Sequence, residues 1–467
     1  MTMPNLSSLL ARTLRTAALA AVLLAFRAAP IALADDPEFE PRQALVRLAP
    51  GQPVAAFNAR YGTSVIDAVP ERSIYLLHLP DTRNEQEFVD LFDADPAVLF
   101  ADLNFYAEDT DPDGTTQDIF LARDYTQYQN DPSIGLVNVP LAAVASRGAG
   151  VVVAVIDSGL DTAHPAFTGR LAPGGYDFVS DTQALSDPSP GAFAGHGTIV
   201  AGIIARIAPE SRLMPLRVLA PDGRTTTFRV ARAIYHALDN GAHIINISLG
   251  TLADPDTLRD AVAEAQARGV LVVAAAGNDD ARDPPRSPAA LQGLGVVSVA
   301  SLDHAMVKSR FSNFGAWITL CAPGENIHGP VPGGGYGSAT GTSFAAPMAA
   351  GVAALLVSSC PQQPPASVRQ RLISGATSID PLNPNHPGEL GAGMLNAAGS
   401  LASIFRQPGR CRCPADFNGL DGVTTQDVFD FINAWFSNSP LADLDGSSSL
   451  TVQEIFTFLA AFFDGCP

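Results

Sequence analysis

An acidic side chain, Asp157, directly follows the apolar run 151–156 in the string VIDSGLD. In an open parallel sheet, reactive groups gather at the carboxyl ends of the strands, so a polar residue in this position is a candidate for chemistry. The simpler alternative is a turn or cap residue, which is a common role for Asp after a strand.

An imidazole, His196, lies between Gly195 and Gly197 in GHGTIVAG, and 199–207 behind it has the composition of a small-residue helix. Neither glycine has a side chain to block close approach to a strand end. His164 is a rival base because it is seven residues after Asp157, but it precedes a proline, and shaping that turn is its expected role.

A serine, Ser343, opens the predicted helix 343–357 in GTSFAAPMAAGVAALL. A hydroxyl is a weak nucleophile until a base removes its proton, and a helix N-terminus stabilises developing negative charge. The alternative is an N-cap serine. Pro347 is expected in the first turn, where a missing N–H has no internal partner.

A side-chain amide, Asn278, follows the apolar run 270–276 in AAAGND. Its N–H group is able to donate to a developing oxyanion, with the Ser343 backbone N–H as second donor. Gly-Asn-Asp is also a common turn sequence.

Taken together, these strings resemble the subtilisin-like serine peptidases, which have Asp, His and Ser in this order. VIDSGLD matches the Asp box of that family, GHGTIVAG its His box and GTSFAAPMAAG its Ser box, with Phe344 where methionine is commoner. INISLGT (245–251), AAAGN and APGENI (322–327) extend the resemblance over about 260 residues.

The resemblance implies a secreted serine endopeptidase that cleaves polypeptides without a cofactor for catalysis. Ser343 would attack the scissile carbonyl, His196 would transfer the proton, Asp157 would orient the imidazole, and Asn278 would bind the oxyanion. The substrate backbone would bind along one strand and beside a second, at Ser248, Leu249, Gly250, Ala276 and Gly277. Thr251 stands where glycine is frequent, which would narrow the pocket.

The elements that must position these residues lie in 139–406. Apolar runs without alternation are separated by helical segments such as 229–240 and 256–268, which indicates a parallel sheet covered on both faces. The predicted fold is a doubly wound α/β domain. Its predicted strands are 151–156, 213–218, 244–247, 270–276 and 296–300.

Two further segments precede this domain. Residues 35–107 alternate strand and helix patterns (44–48, 54–61, 74–79, 84–93, 98–104) and, given the family resemblance, are similar to its inhibitory propeptide. Residues 108–138 begin with a polar, acidic stretch and are assigned to a linker, with processing expected between about Tyr106 and Tyr128.

Residues 1–34 have the pattern of a signal peptide. Arg12 and Arg15 precede the apolar run 17–26, and Ala32-Leu33-Ala34 fits a cleavage site. The alternative, a membrane anchor, needs roughly 20 apolar residues, and this run has ten. The expected location is extracellular or on the cell surface, with no membrane span after signal removal.

The tail, 411–467, contains a repeat with a 27-residue offset that resembles a dockerin or paired EF-hand module. Calcium loops place oxygen ligands at positions 1, 3, 5, 7 and 12. The second copy fits this spacing, whereas Leu420 occupies position 5 of the first. The expected ligands are Asp416, Asn418, Asp427, Asp443, Asp445, Ser447, Ser449 and Glu454. The alternative is a metal-free helical hairpin with solvated acidic loops.

Composition excludes one class of partner. With 28 basic and 47 acidic side chains the formal net charge is -19, which repels nucleic acid. The dockerin resemblance implies a cohesin-like or surface partner. Of the five cysteines, Cys413 and Cys466 bracket the tail repeat and form one conceivable disulfide. The alternative function is a non-catalytic adhesion or scaffold protein. A glutamate-dependent relative of the fold should lack a histidine at position 196.

Overall fold

The structure, a computed structural model, describes residues 38–108, 120–122, 125–187, 193–283, 285–405, 415–418, 423–444 and 449–464. The expected signal peptide, most of the polar stretch 108–118, and the expected ligands Asp445 and Ser447 lie outside these ranges.

A seven-stranded sheet forms the centre of the molecule, in the order β13-β12-β11-β10-β6-β8-β7, and every pairing in it is parallel. Its strands are β6 (Val152–Asp157), β7 (Tyr176–Asp177), β8 (Arg212–Arg217), β10 (Ile244–Ile247), β11 (Leu271–Ala275), β12 (Val297–Leu302) and β13 (Leu320–Pro323). β7 and β8 follow β6 and lie on one side of it, and the chain then builds outward from β10 on the other side. The reversal of strand order between these two strands is where ligands bind in sheets of this kind.

Both faces of this sheet are buried. Val153 and Val155 belong to the core on one face, which contains α6 (His196–Ile207) and α9 (Thr342–Ser359). Ala154 and Ile156 belong to the core on the other face, which contains α7 (Thr227–Asp239) and α8 (Asp256–Ala267). Successive strand residues therefore pack against helices on opposite sides, and the expectation of a doubly wound sheet is confirmed.

The N-terminal segment forms a four-stranded antiparallel sheet with two helices. Its elements are β1 (Phe39–Leu48), α1 (Val54–Tyr61), β2 (Ser64–Val69), β3 (Ile74–His78), α2 (Glu85–Asp93) and β4 (Val98–Glu108). Phe57, Phe88 and Phe92 are buried in a separate core of this segment. Five of the six elements were predicted; β2 was missed because its first three residues are exposed and its alternation is weak.

The N-terminal sheet continues into the central domain. β4 pairs antiparallel with β9 (Arg224–Thr226), which becomes the fifth strand. Asp102 on β4 accepts hydrogen bonds from the backbone N–H groups of Asp256 and Thr257, at 3.2 and 2.7 Å, at the start of α8. Asn104 accepts one from the N–H of Phe228, at the start of α7. Two helices of the central domain are thus capped by side chains of the N-terminal segment.

Part of the range assigned to a linker is folded. It contains β5 (Phe120–Ala122) and two short helices, α3 (Tyr125–Gln129) and α4 (Pro132–Leu136), and α5 (Val139–Ala142) follows. The Tyr128 hydroxyl donates to the carbonyl of Gly202 at 2.9 Å, and its ring stacks on Tyr336 with centroids 5.1 Å apart. Tertiary packing of the aromatic rings orders a segment whose sequence has no apolar periodicity.

The remaining elements are the antiparallel pair β14 (Ile327–Val331) and β15 (Gly335–Ala339), α10 (Pro365–Gly375), α11 (Ala397–Phe405), α12 (Thr425–Phe436) and α13 (Val452–Asp464). The two tail helices, α12 and α13, contain the apolar segments that follow the two copies of the repeat. They contact each other through Phe431 and Phe458, whose rings stack with centroids 4.2 Å apart.

Two cysteines lie in the described residues. Cys360 is disulfide-bonded, and Cys321 is a buried free thiol whose pKa is raised by burial. Among the described helices, α9 alone has the length and apolar composition to cross a membrane, and 89% of it is buried inside the protein.

Candidate active site

Asp157 and His196 meet at the carboxyl end of β6. The Nδ1 atom of His196 lies 2.7 Å from Oδ1 of Asp157, and each residue is 1% exposed. The N–H of Ser158 donates to the same carboxylate oxygen at 2.7 Å. Gly195, in the left-handed region at φ 91°, ends the preceding loop so that the imidazole is the first side chain of α6. A Cβ on Gly197 would lie 2.3 Å from the carbonyl oxygen of Gly159, so this close approach requires glycine.

A second buried carboxylate, Asp187, ties the two loops together and was not anticipated from the sequence. It accepts hydrogen bonds from the Ser158 hydroxyl at 2.9 Å and from the N–H of Gly195 at 3.1 Å. It also accepts from the N–H and hydroxyl of Thr198, at 3.1 and 2.5 Å. Burial raises the pKa of Asp187, although these hydrogen bonds act to lower it. No local pattern distinguishes this residue from the other acids of its polar loop.

Ser343 is the second residue of α9 and is 1% exposed. Its hydroxyl donates to the carbonyl of Ser248 at 3.2 Å, and the Ser248 hydroxyl donates back to the carbonyl of Ser343 at 3.0 Å. The serine is therefore held against the segment that follows β10, the other strand at the reversal point of the sheet.

The expectation that Pro347 lies in the first helical turn was wrong. The helix begins at Thr342, so the proline lies in its second turn. A residue with an N–H at that position would donate to the carbonyl of Ser343, four residues back. That carbonyl accepts from the Ser248 hydroxyl instead, which offsets the missing bond.

The imidazole lies beside the start of α9. The ring of Phe344 is 5.1 Å from the ring of His196, measured between centroids, and both side chains are 1% exposed. α6 and α9 therefore bring the predicted base and the predicted nucleophile to the same side of the sheet. His164, the rival base, is used structurally. Its Nδ1 accepts from the N–H of Ala166, and its Nε2 contacts the carbonyl of Gly335 at 2.8 Å.

The side-chain amide of Asn278 is oriented by hydrogen bonds to its oxygen. Oδ1 accepts from both the N–H and the hydroxyl of Thr342, each at 2.9 Å. The Nδ2 atom lies 3.5 Å from where a Cβ of Gly341 would be, next to the N-terminus of α9. The amide is thus fixed beside the backbone N–H groups that open the helix.

A narrow pocket lies beside these residues. It is lined by Ser248, Leu249, Gly250, Ala275, Gly277, Arg286 and Thr342. Four of the five expected substrate-binding residues are among them. The fifth, Ala276, is fully buried, and its N–H donates to the carbonyl of Val299. Ala275 lines the pocket in its place, because neighbouring residues of a strand face opposite sides of the sheet. Thr251, expected to narrow the pocket, pairs with Ser287 instead.

The N-terminal segment reaches this pocket. Glu108, at the end of β4, exchanges two backbone hydrogen bonds with Gly250, at 3.0 and 2.9 Å. On its other side it pairs with Arg224 of β9. Residues 106–108 thus lie as a strand between two segments of the central domain, in the position that an extended peptide would take.

The expected calcium ligands are only partly within the described residues. Asp427, Asp443 and Glu454 are at most 3% exposed, and Asp416, Asn418 and Ser449 lie in the loops before the tail helices. Glu454 accepts from the N–H and hydroxyl of Thr451 through Oε2, while its buried Oε1 has no hydrogen-bond partner among the described residues. Within those residues no group of three or more His, Cys, Asp or Glu side chains forms a metal site.

Comparison with known proteins agrees with this geometry. The model of the Subtilase family, Peptidase_S8, matches residues 148–393. Subtilisin BL of Lederbergia lenta is 37% identical over 278 residues, which are 56% of this chain and 96% of that protein. Alkaline elastase YaB of Bacillus sp. (strain YaB) is 34% identical over 327 residues, 67% of this chain and 76% of that protein.

The fold is also found among solved structures. Fervidolysin from Fervidobacterium pennivorans, described as a keratinolytic enzyme related to subtilisin, superposes with a TM-score of 0.63 at 24% identity. The match covers 78% of this chain and 61% of that one. At this identity the likeness shows the fold alone.

Proposed function

The chain belongs to the subtilase family and is a serine endopeptidase, and on this basis we propose that Asp157, His196 and Ser343 are its catalytic triad. Ser343 attacks the scissile carbonyl, and His196 takes the hydroxyl proton and returns it to the leaving amine. Asp157 holds the imidazole by the 2.7 Å contact to Nδ1, which leaves Nε2 as the base. The alternative of a non-catalytic scaffold has no support in the comparisons.

The Asp157–His196 contact at the carboxyl end of β6 is the observation that carries this proposal. A buried carboxylate stabilises the imidazolium that forms when the hydroxyl proton is removed. The Asn278 amide and the Ser343 N–H supply donors to the tetrahedral oxyanion, and α9 adds the positive end of its dipole. Substrate backbone pairs with 248–250, where Glu108 pairs in this structure.

Labelling with a fluorophosphonate probe tests the triad. The active chain should be labelled at Ser343 and should digest casein, whereas Ser343→Ala should be unlabelled and about a million-fold slower. Ser358→Ala is the matched control, because it removes a hydroxyl from the far end of α9, where Ser358 donates to the carbonyl of Ala149, and the variant should still be labelled. Labelling that persists in Ser343→Ala would contradict the assignment.

We also propose that the segment 35–107 is an inhibitory propeptide removed by cleavage. Residues 106–108 occupy the strand position beside Gly250, so substrate has no access until they leave. Processing is expected between about Tyr106 and Tyr128. N-terminal sequencing of active protein should give a start in that interval, and the Ser343→Ala chain should stay uncut. An active enzyme that starts at Asp35 would contradict the proposal.

Secretion is proposed from the N-terminal signal pattern, with cleavage before Asp35 and an extracellular or cell-surface location. The triad needs no cofactor. Nucleic acid is not expected as a partner, because the net charge of -19 repels phosphate.

For the tail we propose calcium binding by the two loops. The unused Oε1 of Glu454 is the observation in favour, because position 12 of a calcium loop binds the ion through both carboxylate oxygens. The tail helices also expose an apolar surface to which a cohesin-like or other surface partner would bind. Its residues, each more than 60% exposed, are Phe429, Phe436, Val452, Phe456 and Phe463.

A further inference from the structure

The pocket beside Ser343 ends on an arginine. Arg286 is 8% exposed and runs between the two glycines that border the pocket. Its Cδ lies 3.0 Å from where a Cβ of Gly277 would be, and its Cβ lies 3.3 Å from the corresponding point at Gly250. The arginine side chain thus takes up space between the two segments and shortens the pocket. A short substrate side chain is therefore favoured over a long one.

Only some of the N–H donors of the Arg286 guanidinium bind other groups of the protein. Nε and Nη2 donate to the two carboxylate oxygens of Asp279, each at 2.7 Å. Nη1 makes no hydrogen bond within the described part of the chain, although a guanidinium has five N–H donors. Asp279 also accepts from the Asn313 amide at 2.9 Å, so its negative charge is shared between two partners. The pocket therefore contains a fixed cation with unused donors.

We propose that Arg286 is a specificity-determining residue, and that it selects aspartate at the substrate residue whose carbonyl is attacked. This inference rests on the proposed function, because it assigns the pocket to that residue. Aspartate combines a short side chain with a carboxylate, the acceptor that a guanidinium binds most strongly. A long or aromatic side chain would have to displace Arg286 from Asp279, which breaks a partly buried ion pair.

The sequence around the expected processing site agrees with this preference. Residues 107–127 contain six acidic side chains, five of them aspartate, and a single basic one. A protease that selects aspartate would find several matching bonds in the segment that its own maturation must cut.

Matched peptides that differ only at this residue, with Asp, Asn, Ala or Phe, test the proposal on the mature enzyme. Asp and Asn have nearly the same shape, so the ratio of their kcat/KM values reports on charge. We expect the wild-type enzyme to favour Asp over the other three. Arg286→Gln should lower the Asp/Asn ratio about tenfold or more, the usual contribution of a hydrogen bond to a charged group. Asp279→Asn should raise the ratio, because it removes the competing anion.

Arg282→Gln is the control. Arg282 lies in the same loop, is 61% exposed and pairs with Glu389, so its loss should leave the ratio unchanged. Fluorophosphonate labelling and the melting temperature of each variant show that the active site is folded.

Two outcomes would overturn the inference and leave the proposed function intact: a labelled enzyme that prefers Ala, Asn or Phe, or an Asp/Asn ratio that is the same in Arg286→Gln. Failure of the wild-type enzyme to be labelled or to cleave any peptide would instead contradict the triad itself.

Discussion

The Asn278 side chain is held through its oxygen by Thr342, which fixes the direction of its nitrogen. Asn278→Ala removes an oxyanion donor and leaves the Ser343 N–H in place, so we expect kcat to fall about a hundred- to a thousand-fold with little change in KM. Steady-state kinetics on a peptide substrate measure this. Asn278→Asp is a harsher variant, since it places an anion where the oxyanion forms. A raised KM with an unchanged kcat in Asn278→Ala would show that the amide binds the substrate and the transition state equally well.

Asp187 belongs to no part of the triad, yet four hydrogen bonds join it to the segments that carry Asp157 and His196. We expect Asp187→Ala to lower kcat/KM about ten- to a hundred-fold, because a buried positioning group of this kind acts through the residues it orients. Asp187→Asn keeps the shape of the side chain, so its kcat/KM should be higher than that of Asp187→Ala and lower than that of the unaltered enzyme.

Two measurements on Asp187→Ala, the folded fraction and the pH profile of kcat/KM, separate a positioning role from simple unfolding. The pH profile of kcat/KM reports on the free enzyme's base, and it should shift in Asp187→Ala if the imidazole is misplaced. An unchanged profile, with activity that falls only in proportion to the folded fraction, would contradict a positioning role.

At the residue scale, the sequence singles out the side chains that are flanked by a distinctive string. Asp157 and His196 were each ambiguous alone, and the structure places them 2.7 Å apart. Asp187 and Arg286 were missed because no distinctive string flanks them and because their partners, Ser158 and Thr198 for one and the pocket glycines for the other, come from separate elements. The role of Pro347 was also mistaken, since the carbonyl of Ser343 that it leaves without a helical donor accepts from Ser248, which is 95 residues from Ser343.

At the scale of elements, the apolar runs located five of the seven strands of the central sheet to within one or two residues, because a strand buried on both faces reads as one continuous apolar run with clear ends. Short elements with exposed residues were harder. β2 has exposed residues at its start, and the helices of 125–136 depend on contacts such as that of Tyr128 with Tyr336. Their order comes from tertiary packing, which a local pattern does not contain.

The capping of α8 by Asp102 has a pH dependence. Burial raises the pKa of Asp102 to about 6, against the three hydrogen bonds that lower it. In the unfolded chain the pKa is near 3.8, so the folded form binds the proton more tightly between these values. The free energy of unfolding should therefore fall as pH rises from about 4 to 6, by at most about 3 kcal/mol.

Denaturant unfolding of the full-length Ser343→Ala chain, with and without Asp102→Asn, isolates this effect. Asparagine does not titrate, so the difference in stability between the two chains should change across pH 4 to 6 and be constant above about 7. A difference that is the same at every pH would show that the carboxylate of Asp102 has an ordinary pKa in the folded chain.

At the scale of the whole molecule, the N-terminal segment and the central domain share a sheet through β4 and β9, and the same strand β4 supplies the helix caps and the residues beside Gly250. The strand β4 thus both caps helices of the central domain and lies across the pocket. The proposed cleavage after β4 would remove both together, so we expect it to follow the folding of the central domain.

The tail should respond to calcium through its second loop first. Glu454 is a buried carboxylate whose Oε1 has no hydrogen-bond partner among the described residues, which is costly for a charged group. Calorimetric titration of the full-length Ser343→Ala chain should therefore show calcium binding, and Glu454→Gln should remove at least one site, because the amide leaves only one oxygen for the ion.

Asp427→Asn should have a smaller effect on calcium affinity than Glu454→Gln, because Leu420 supplies no ligand at position 5 and the first loop is already weak. Glu210→Gln is the matched control: Glu210 pairs with Arg147 on the surface of the central domain and is not an expected ligand. Calcium sites elsewhere in the chain would be common to all four proteins and cancel in the comparison. Identical stoichiometry and heats in the parent and in Glu454→Gln would reject the metal-binding interpretation in favour of a metal-free helical hairpin, held by aromatic packing such as that of Phe431 on Phe458.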